Sequence, residues 1–159
     1  MMAVRGLVFV LAGVPCMAAA QSSQSRWQTE VRIDALSARG TAYHAGAGAN
    51  ATMGTYARLA LLGGTGARRL RGRWASSGRV ESLVRVHVDP LRQFRWGAYV
   101  GGGAALMFDE GARTRARAVV IVGYEGPATD SGWIAGIEAG IGGGLRVAVA
   151  ARRARDTGR

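Results

Sequence analysis

The sequence has few of the residues that supply catalytic and metal-binding chemistry. It contains one cysteine, Cys16, two histidines, His44 and His87, and no lysine. A single cysteine excludes an intramolecular disulfide and a centre held by several cysteines. The histidines stand apart, without the short spacing to an acidic residue or a second histidine that metal motifs show. We therefore predict no metal and no cofactor, and expect both histidines to be polar interior residues.

The sequence also lacks an apolar run long enough for a membrane-spanning helix near its start. Arg5 precedes an apolar stretch over 6–14, and three alanines at 18–20 form a small-residue cleavage site. This layout is typical of a secretory signal peptide, and the stretch is shorter than the roughly 20 residues that a spanning helix needs. A lipoprotein signal fits poorly, because a proline precedes Cys16. The predicted organisation is a signal peptide over 1–20, a short lead over 21–26, one β-barrel domain over 27–153 and a basic tail over 154–159.

Positive charge is carried by arginine alone. The chain has 21 basic and 10 acidic residues, and removal of Arg5 with the signal peptide leaves 20 against 10, a net charge of +10. Such an excess favours nucleic acid or an anionic membrane surface as a partner. Export argues against nucleic acid. Membrane lipid and lipopolysaccharide remain as the expected partners.

Apolar residues recur at every second position, which is the period of a β-strand. In the first segment Val31 and Ile33 share one face, and Glu30 and Arg32 share the other. A helix would not keep these two sets apart. The predicted strands are 27–36, 42–50, 54–63, 69–88, 95–108, 114–124, 132–141 and 144–153. The pattern predicts an all-β fold with one apolar and one charged face.

Two features indicate that the charged face is the inner one. Aromatic residues of the apolar face begin or end strands, as in the girdles that flank the apolar band of a membrane barrel. They are Trp27, Tyr43, Trp96, Phe108, Tyr124 and Trp133. Glycines share the parity of the charges, where they leave space for long arginine side chains inside a narrow barrel. They are Gly46, Gly48, Gly97, Gly101, Gly103, Gly136 and Gly140.

In this pattern the chain resembles the small eight-stranded outer-membrane β-barrels of bacteria, over about residues 27–153. The resemblance is architectural and transfers no functional residue. It implies an antiparallel up-and-down transmembrane barrel in the outer membrane, a monomer with a filled interior and a structural or surface-interaction role, not an enzyme. Two features depart from the family: the chain ends on an arginine-rich segment instead of an aromatic residue, and the connection at 142–144 is very short.

Three alternatives remain open at this stage. A soluble exported barrel that binds a small apolar ligand would have its faces inverted. A helix over 132–151 would use glycines spaced by four, but Glu138 would then lie near the bilayer centre at a cost of about 2.5–3.5 kcal/mol. An outer-membrane lipid hydrolase would need a serine beside a histidine. Ser82 and His87 have opposite parity, and Ser76 and Ser77 reach a histidine only through a loop of unknown course.

Two groups of residues are candidate sites. The first is an interior charge network, in which Glu138 is expected to meet Arg146 across the last turn and Arg117 from the preceding strand, whereas Glu125 falls in a turn. Its predicted members are Glu30, Arg32, Arg58, Glu81, Arg85, Arg117, Glu138 and Arg146. The second is an arginine cluster for an anionic ligand, on the segment 64–78, which is either a long outward connection or an extension of the strands. Residues 69, 71 and 73 of this segment share one parity. Its members are Arg68, Arg69, Arg71 and Arg73. A plain solvated basic loop is the alternative for the cluster.

Overall fold

The computed structural model describes residues 27–38, 40–70, 72–91 and 93–153, and the backbone only of Leu70. The predicted signal peptide, the lead over 21–26, the basic tail over 154–159 and Arg71 lie outside the described residues. The strands are β1 Trp27–Ser37, β2 Thr41–Met53, β3 Ala57–Leu70, β4 Arg73–His87, β5 Gly97–Asp109, β6 Arg115–Ala128, β7 Trp133–Ile141 and β8 Leu145–Arg153. Each pairs antiparallel with its neighbours in the chain, and β1 pairs with β8, so the sheet closes without a free edge. The prediction of an eight-stranded up-and-down barrel is confirmed.

The apolar face of the sheet points outward. Ile33 and Val120 are 61% and 55% exposed, whereas Glu30 and Arg85 on the other face are 1% and 0% exposed. A soluble barrel has the opposite arrangement, because water would meet its charged face. The alternative with inverted faces therefore disagrees with the structure.

Aromatic side chains form two outward-facing belts at the ends of the barrel. We call the end that carries the β1–β2, β3–β4, β5–β6 and β7–β8 connections the hairpin end, and the opposite end, which carries Trp27 and Arg153, the terminal end. The terminal-end belt contains Trp27, Tyr56, Phe94, Trp96, Tyr124 and Trp133, and the hairpin-end belt contains Tyr43, Trp74 and Phe108. Trp27 and Ala35, the partner of Tyr43, are eight positions apart on β1, which is about 26 Å along a strand and about 20 Å across a membrane after a tilt of about 40°.

The hairpin-end connections are short, and most of the segment 64–78 belongs to strands β3 and β4 rather than to a long loop, the other possibility that the sequence left open. Gly63 and Gly64 lie inside β3, and the chain reverses between Leu70 and Arg73, where Gly72 has a φ of 81°. Glycine occupies this left-handed conformation without the penalty that a Cβ imposes. The longest connection instead covers 88–96, at the terminal end.

The helical alternative over 132–151 is also wrong. This segment forms β7 and β8, which pair with each other through a turn at 142–144. In the described part of the chain, no helix has the length and apolar character needed to cross a membrane. Glu138 consequently lies inside the barrel and is 2% exposed.

The barrel interior has an apolar wall beside its charged one. Seven buried residues of β3 to β6 form this wall: Ala60, Leu62, Leu83, Tyr99, Ala105, Val119 and Ile121. The Tyr99 ring crosses in front of Gly123, where a Cβ would lie 2.2 Å from the ring. A glycine at this inward position thus lets Tyr99 reach the charged side of the interior.

Candidate functional site

Eight charged side chains fill the middle of the barrel, and we call them the central cluster. Four carboxylates and four guanidinium groups come from β1, β4, β7 and β8, and all are buried. The members are Glu30, Arg32, Asp34, Arg79, Glu81, Arg85, Glu138 and Arg146. Buried charges are tolerated when they are paired and hydrogen-bonded, and the equal numbers of each sign meet this requirement.

Glu30 and Arg85 form the best-ordered pair of the cluster. Arg85 Nη1 donates to Glu30 Oε2 at 2.6 Å, and Nη2 donates to Oε1 at 2.9 Å. Asn50 accepts a second bond from Arg85 Nη1 at 2.8 Å and donates to Glu30 Oε2 at 2.9 Å. Two-point guanidinium–carboxylate bonds are among the strongest and most directional in proteins. This unit joins β1, β2 and β4.

Glu138 lies at the centre of the cluster, where side chains of four other strands contact its carboxylate. Its Oε1 accepts from the Tyr99 hydroxyl at 2.8 Å and lies 2.7 Å from Arg85 Nη2. Its Oε2 accepts from Arg146 at 3.3 Å and from Arg32. The predicted proximity of Glu138 and Arg146 is present in the structure. Their register is diagonal, because Arg146 pairs with Gly140 rather than with Glu138.

Glu81 binds three arginines of the cluster, two of which also bind Glu138. Arg146 Nη1 lies 3.0 Å from both of its oxygens, Arg32 Nη1 lies 3.5 Å away, and Arg79 donates to it from two positions along the same strand. Arg79 also lies 3.6 Å from Asp34. An interior void of about 10 Å³ adjoins these charges, which is about the room that one water molecule needs.

A second charged group, the terminal cluster, surrounds Glu125 near the other end of the barrel. Arg58 and His87 approach the Glu125 carboxylate at 3.7 Å each, and Arg152 also binds it. The expectation that Glu125 lies in a turn is wrong, because β6 continues to Ala128 past an irregularity of register between Glu125 and Ala128. Arg58, predicted within the network of Glu138, belongs to this cluster instead.

Arg117 does not join either group, and its predicted contact with Glu138 is wrong. On β6 the partner of Glu138 is Gly123, six positions from Arg117 toward the terminal end. Arg117 pairs with Ala105 and is exposed at the hairpin end. Arg117 follows the predicted inward parity, but it lies at a different height along the barrel from Glu138.

A row of hydrogen-bonded residues closes the interior just below the hairpin end. Asp34 pairs with His44, His44 with Gly66, Gly66 with Ser77, and Ser77 with Asp109, on five successive strands. His44 Nδ1 lies 3.1 Å from Asp34 and its Nε2 lies 3.0 Å from the Ser77 hydroxyl, which donates to Asp109 at 2.8 Å. Gly66 has no side chain, so His44 reaches Ser77 across β3. We call these residues the polar row.

The polar row brings a serine, a histidine and an aspartate together, which sequence reasoning missed. The expectation that Ser77 reaches a histidine only through a loop is wrong, since both residues lie on strands. The donors nevertheless differ from those of a nucleophile–base pair, in which the serine proton goes to the histidine. Here Ser77 donates its hydroxyl proton to Asp109 rather than to His44.

The arginine cluster is divided by the hairpin at Gly72. Arg68 points inward and donates to Asp109 at 2.7 Å. Arg69 shares the outward parity of β3 and pairs with Trp74, whereas Arg73 follows the inward parity at the exposed rim. The expectation that one extended segment presents residues 69, 71 and 73 together is wrong, and Arg71 lies outside the described residues.

The closed eight-stranded barrel, with charges inside and aliphatic side chains outside, is the fold of the small outer-membrane barrels, which confirms the architectural resemblance. Several solved structures share this fold. The crystal structure of neisserial surface protein A, NspA, is 13% identical with a TM-score of 0.59, covering 80% of this chain and 94% of that chain. The N-terminal β-barrel domain of Pseudomonas aeruginosa OprF is 13% identical with a TM-score of 0.53, covering 79% of this chain and 96% of that chain. No protein-family model and no curated protein sequence matches the chain.

Proposed function

We propose that this protein is a closed β-barrel of the bacterial outer membrane, with a structural or surface-interaction role and no open pore. The observation that carries the proposal is the distribution of polarity: aliphatic residues face outward between two aromatic belts, and paired charges fill the inside. Lipid is the solvent that accepts such an outer surface. The fold similarity to NspA and the OprF barrel domain supports the same environment.

The proposal of a filled interior without conduction is supported by three groups of buried polar side chains. The terminal cluster, the central cluster and the polar row follow one another along the barrel, with Asp34 shared by the last two, and each contains side chains from several strands. An eight-stranded barrel has just enough interior for its own side chains. The expected partners are membrane lipid and lipopolysaccharide, and the expected state is a monomer, since closure leaves no strand edge for a second chain.

Reconstitution of the mature chain, expected to start at Gln21 after signal cleavage, tests the proposal. The purified protein is refolded into phospholipid vesicles, and its mobility in a detergent gel is compared with and without heating. A folded membrane barrel resists unheated detergent, migrates differently after boiling, and stays with the vesicles through an alkaline wash. Planar-bilayer recordings should show no steady conductance. A chain that folds in buffer without lipid or detergent would contradict the membrane assignment.

A lipid hydrolase is the second candidate, because the polar row places Ser77 Oγ 3.0 Å from His44. The donor pattern and the 3% exposure of Ser77 favour a structural role for the row. The two roles differ in one measurement. Ser77→Ala should lower the stability of the barrel under the structural role, and should abolish release of fatty acid from vesicle lipids under the catalytic one.

A further inference from the structure

A groove of about 590 Å³ runs along the outer wall of the barrel below the hairpin-end aromatic belt. It differs from the interior void in facing outward, on the surface that the proposed function places in lipid. Outward side chains of β8, β1 and β2 line most of it: Val147, Val149, Ile33, Ala35, Tyr43 and Ala45.

The register of the strands explains why the outer surface has a depression here. Ala35 lies between Val147 and Tyr43 in one cross-strand row. Ala45 lies between Ile33 and Thr65 in the next row. The two alanines form a low floor, and the larger neighbours stand on either side. The depression is apolar and elongated, and its volume lies within the range of about 300–1,000 Å³ seen for ligand sites.

A cation stands at the hairpin-end limit of this groove. Ala67 is the partner of Tyr43, and Arg69 is the next outward residue of β3, between Thr41 and Trp74. Arg69 is exposed, and within the described ranges no carboxylate lies within 4 Å of it. The Tyr43 and Trp74 rings flank this position, with centroids 6.2 Å apart. The apolar groove and the cation are therefore arranged as the tail and the headgroup of a lipid are.

We propose that the groove binds one acyl chain of an anionic, phosphate-bearing lipid, whose phosphate is bound by Arg69. The inference rests on the proposed function and specifies the class of lipid that this surface binds. A guanidinium group matches a phosphate with two parallel donors. A second copy of the chain fits less well, because each copy carries a formal charge of +11 before processing and like charges repel.

The experiment uses Trp74 as a local probe. Trp27→Phe, Trp96→Phe and Trp133→Phe leave Trp74 as the only tryptophan of the chain. This variant is refolded into phosphatidylcholine vesicles that contain increasing mole fractions of brominated phosphatidylglycerol or, separately, brominated phosphatidylcholine. Bromine quenches a nearby tryptophan on contact. We expect half-maximal quenching at about a fivefold lower mole fraction of the anionic lipid, the factor that corresponds to about 1 kcal/mol for one cation near the membrane surface.

Three further variants separate the headgroup contact from the groove. Arg69→Gln should make the two brominated lipids equally effective, and Ala45→Leu should reduce the anionic preference by filling the groove. Arg153→Gln is the matched control, because it removes an outward arginine at the terminal end and should leave the preference unchanged. Equal quenching by the two lipids in the parent protein, or a preference that survives Arg69→Gln, would overturn the inference. Gel mobility of the same samples tests insertion itself: a protein that does not insert contradicts the proposed function, and one that inserts without the preference contradicts the lipid site only.

Discussion

Arg85 and Glu30 bind each other through two parallel hydrogen bonds of 2.6 and 2.9 Å inside the barrel, although 55 positions separate them in the chain. Both side chains are fully buried, and Asn50 bridges them on one side. A pair of this geometry offsets the free-energy cost of removing both charges from water. Loss of one partner leaves the other charge without that compensation.

The pair should therefore show strong energetic coupling. We expect Arg85→Gln or Glu30→Gln alone to lower the free energy of unfolding by about 3–5 kcal/mol, because each removes the two-point partner of a buried charge. The double variant should cost clearly less than the sum of the two. Urea unfolding in detergent micelles, followed by tryptophan fluorescence, gives the free energy of unfolding of the parent protein, the two single variants and the double variant. Additive losses would mean that the two residues do not interact.

Glu138 provides a test of the central cluster as a whole. Glu138→Gln removes a carboxylate that binds Arg32, Arg85 and Arg146, so we expect a loss of about 3–5 kcal/mol in the free energy of unfolding. Asp130→Asn is the control, because Asp130 is an exposed turn residue. Glu125, which the sequence placed in a turn, is unsuitable as a control because it is buried beside Arg152. Equal stabilities of Glu138→Gln and Asp130→Asn would show that the charges are solvated.

The outward face is tested by placing a charge in the apolar band. Val120 lies midway between the two aromatic belts, so Val120→Arg should lower stability in a bilayer by about 2–4 kcal/mol. Val88→Arg makes the same substitution beside the terminal-end belt and should cost about 0–1 kcal/mol. Both variants are unfolded in vesicles of one lipid composition. The membrane assignment fails if Val120→Arg is as stable as the parent chain.

Two glycines of β3 should respond to alanine with opposite signs. A Cβ on Gly66 would lie 1.8 Å from the Tyr43 carbonyl oxygen, whereas a Cβ on Gly63 would meet no heavy atom within 4 Å. Gly66→Ala should destabilise the barrel by about 1–3 kcal/mol or more, and should separate His44 from Ser77. Gly63→Ala should stabilise it by about 0.4–1 kcal/mol, because alanine restricts the unfolded chain. Thermal unfolding of the two variants under one condition gives the comparison.

The alternation of residue types was sufficient to predict the strands and the faces. Apolar and charged residues alternate, as in Val31 and Ile33 on one face of β1 and Glu30 and Arg32 on the other. Where this period of 2 is kept, it predicts which side chains point inward. Glycine misled the prediction of boundaries. Gly63 and Gly64 suggested a turn, but glycines inside a narrow barrel are also strand residues, and the actual turn depends on the φ of Gly72.

The partners within the site required information that the sequence pattern does not contain. Parity places Arg117 and Glu138 on one face, but only the register of β6 against β7 shows that they lie at different heights. The polar row needs the registers of four strand pairs together, and it also needs Gly66 between two side chains that bond across it. Glu125 was missed because Gly126 and Pro127 resemble the end of a strand, whereas β6 continues past an irregularity there. Proline is tolerated in sheets at bulges and at strand ends.

The closure of β1 against β8 has a consequence for the lifetime of the protein. The contact between Arg32 and Glu138 joins residues 106 positions apart, and it arises only when the first strand meets the last part of the chain. Interactions of such long range form late in folding, and interactions that are absent from the transition state slow unfolding without speeding folding. We therefore expect the contact between Arg32 and Glu138 to slow the unfolding of the assembled barrel more than it speeds assembly.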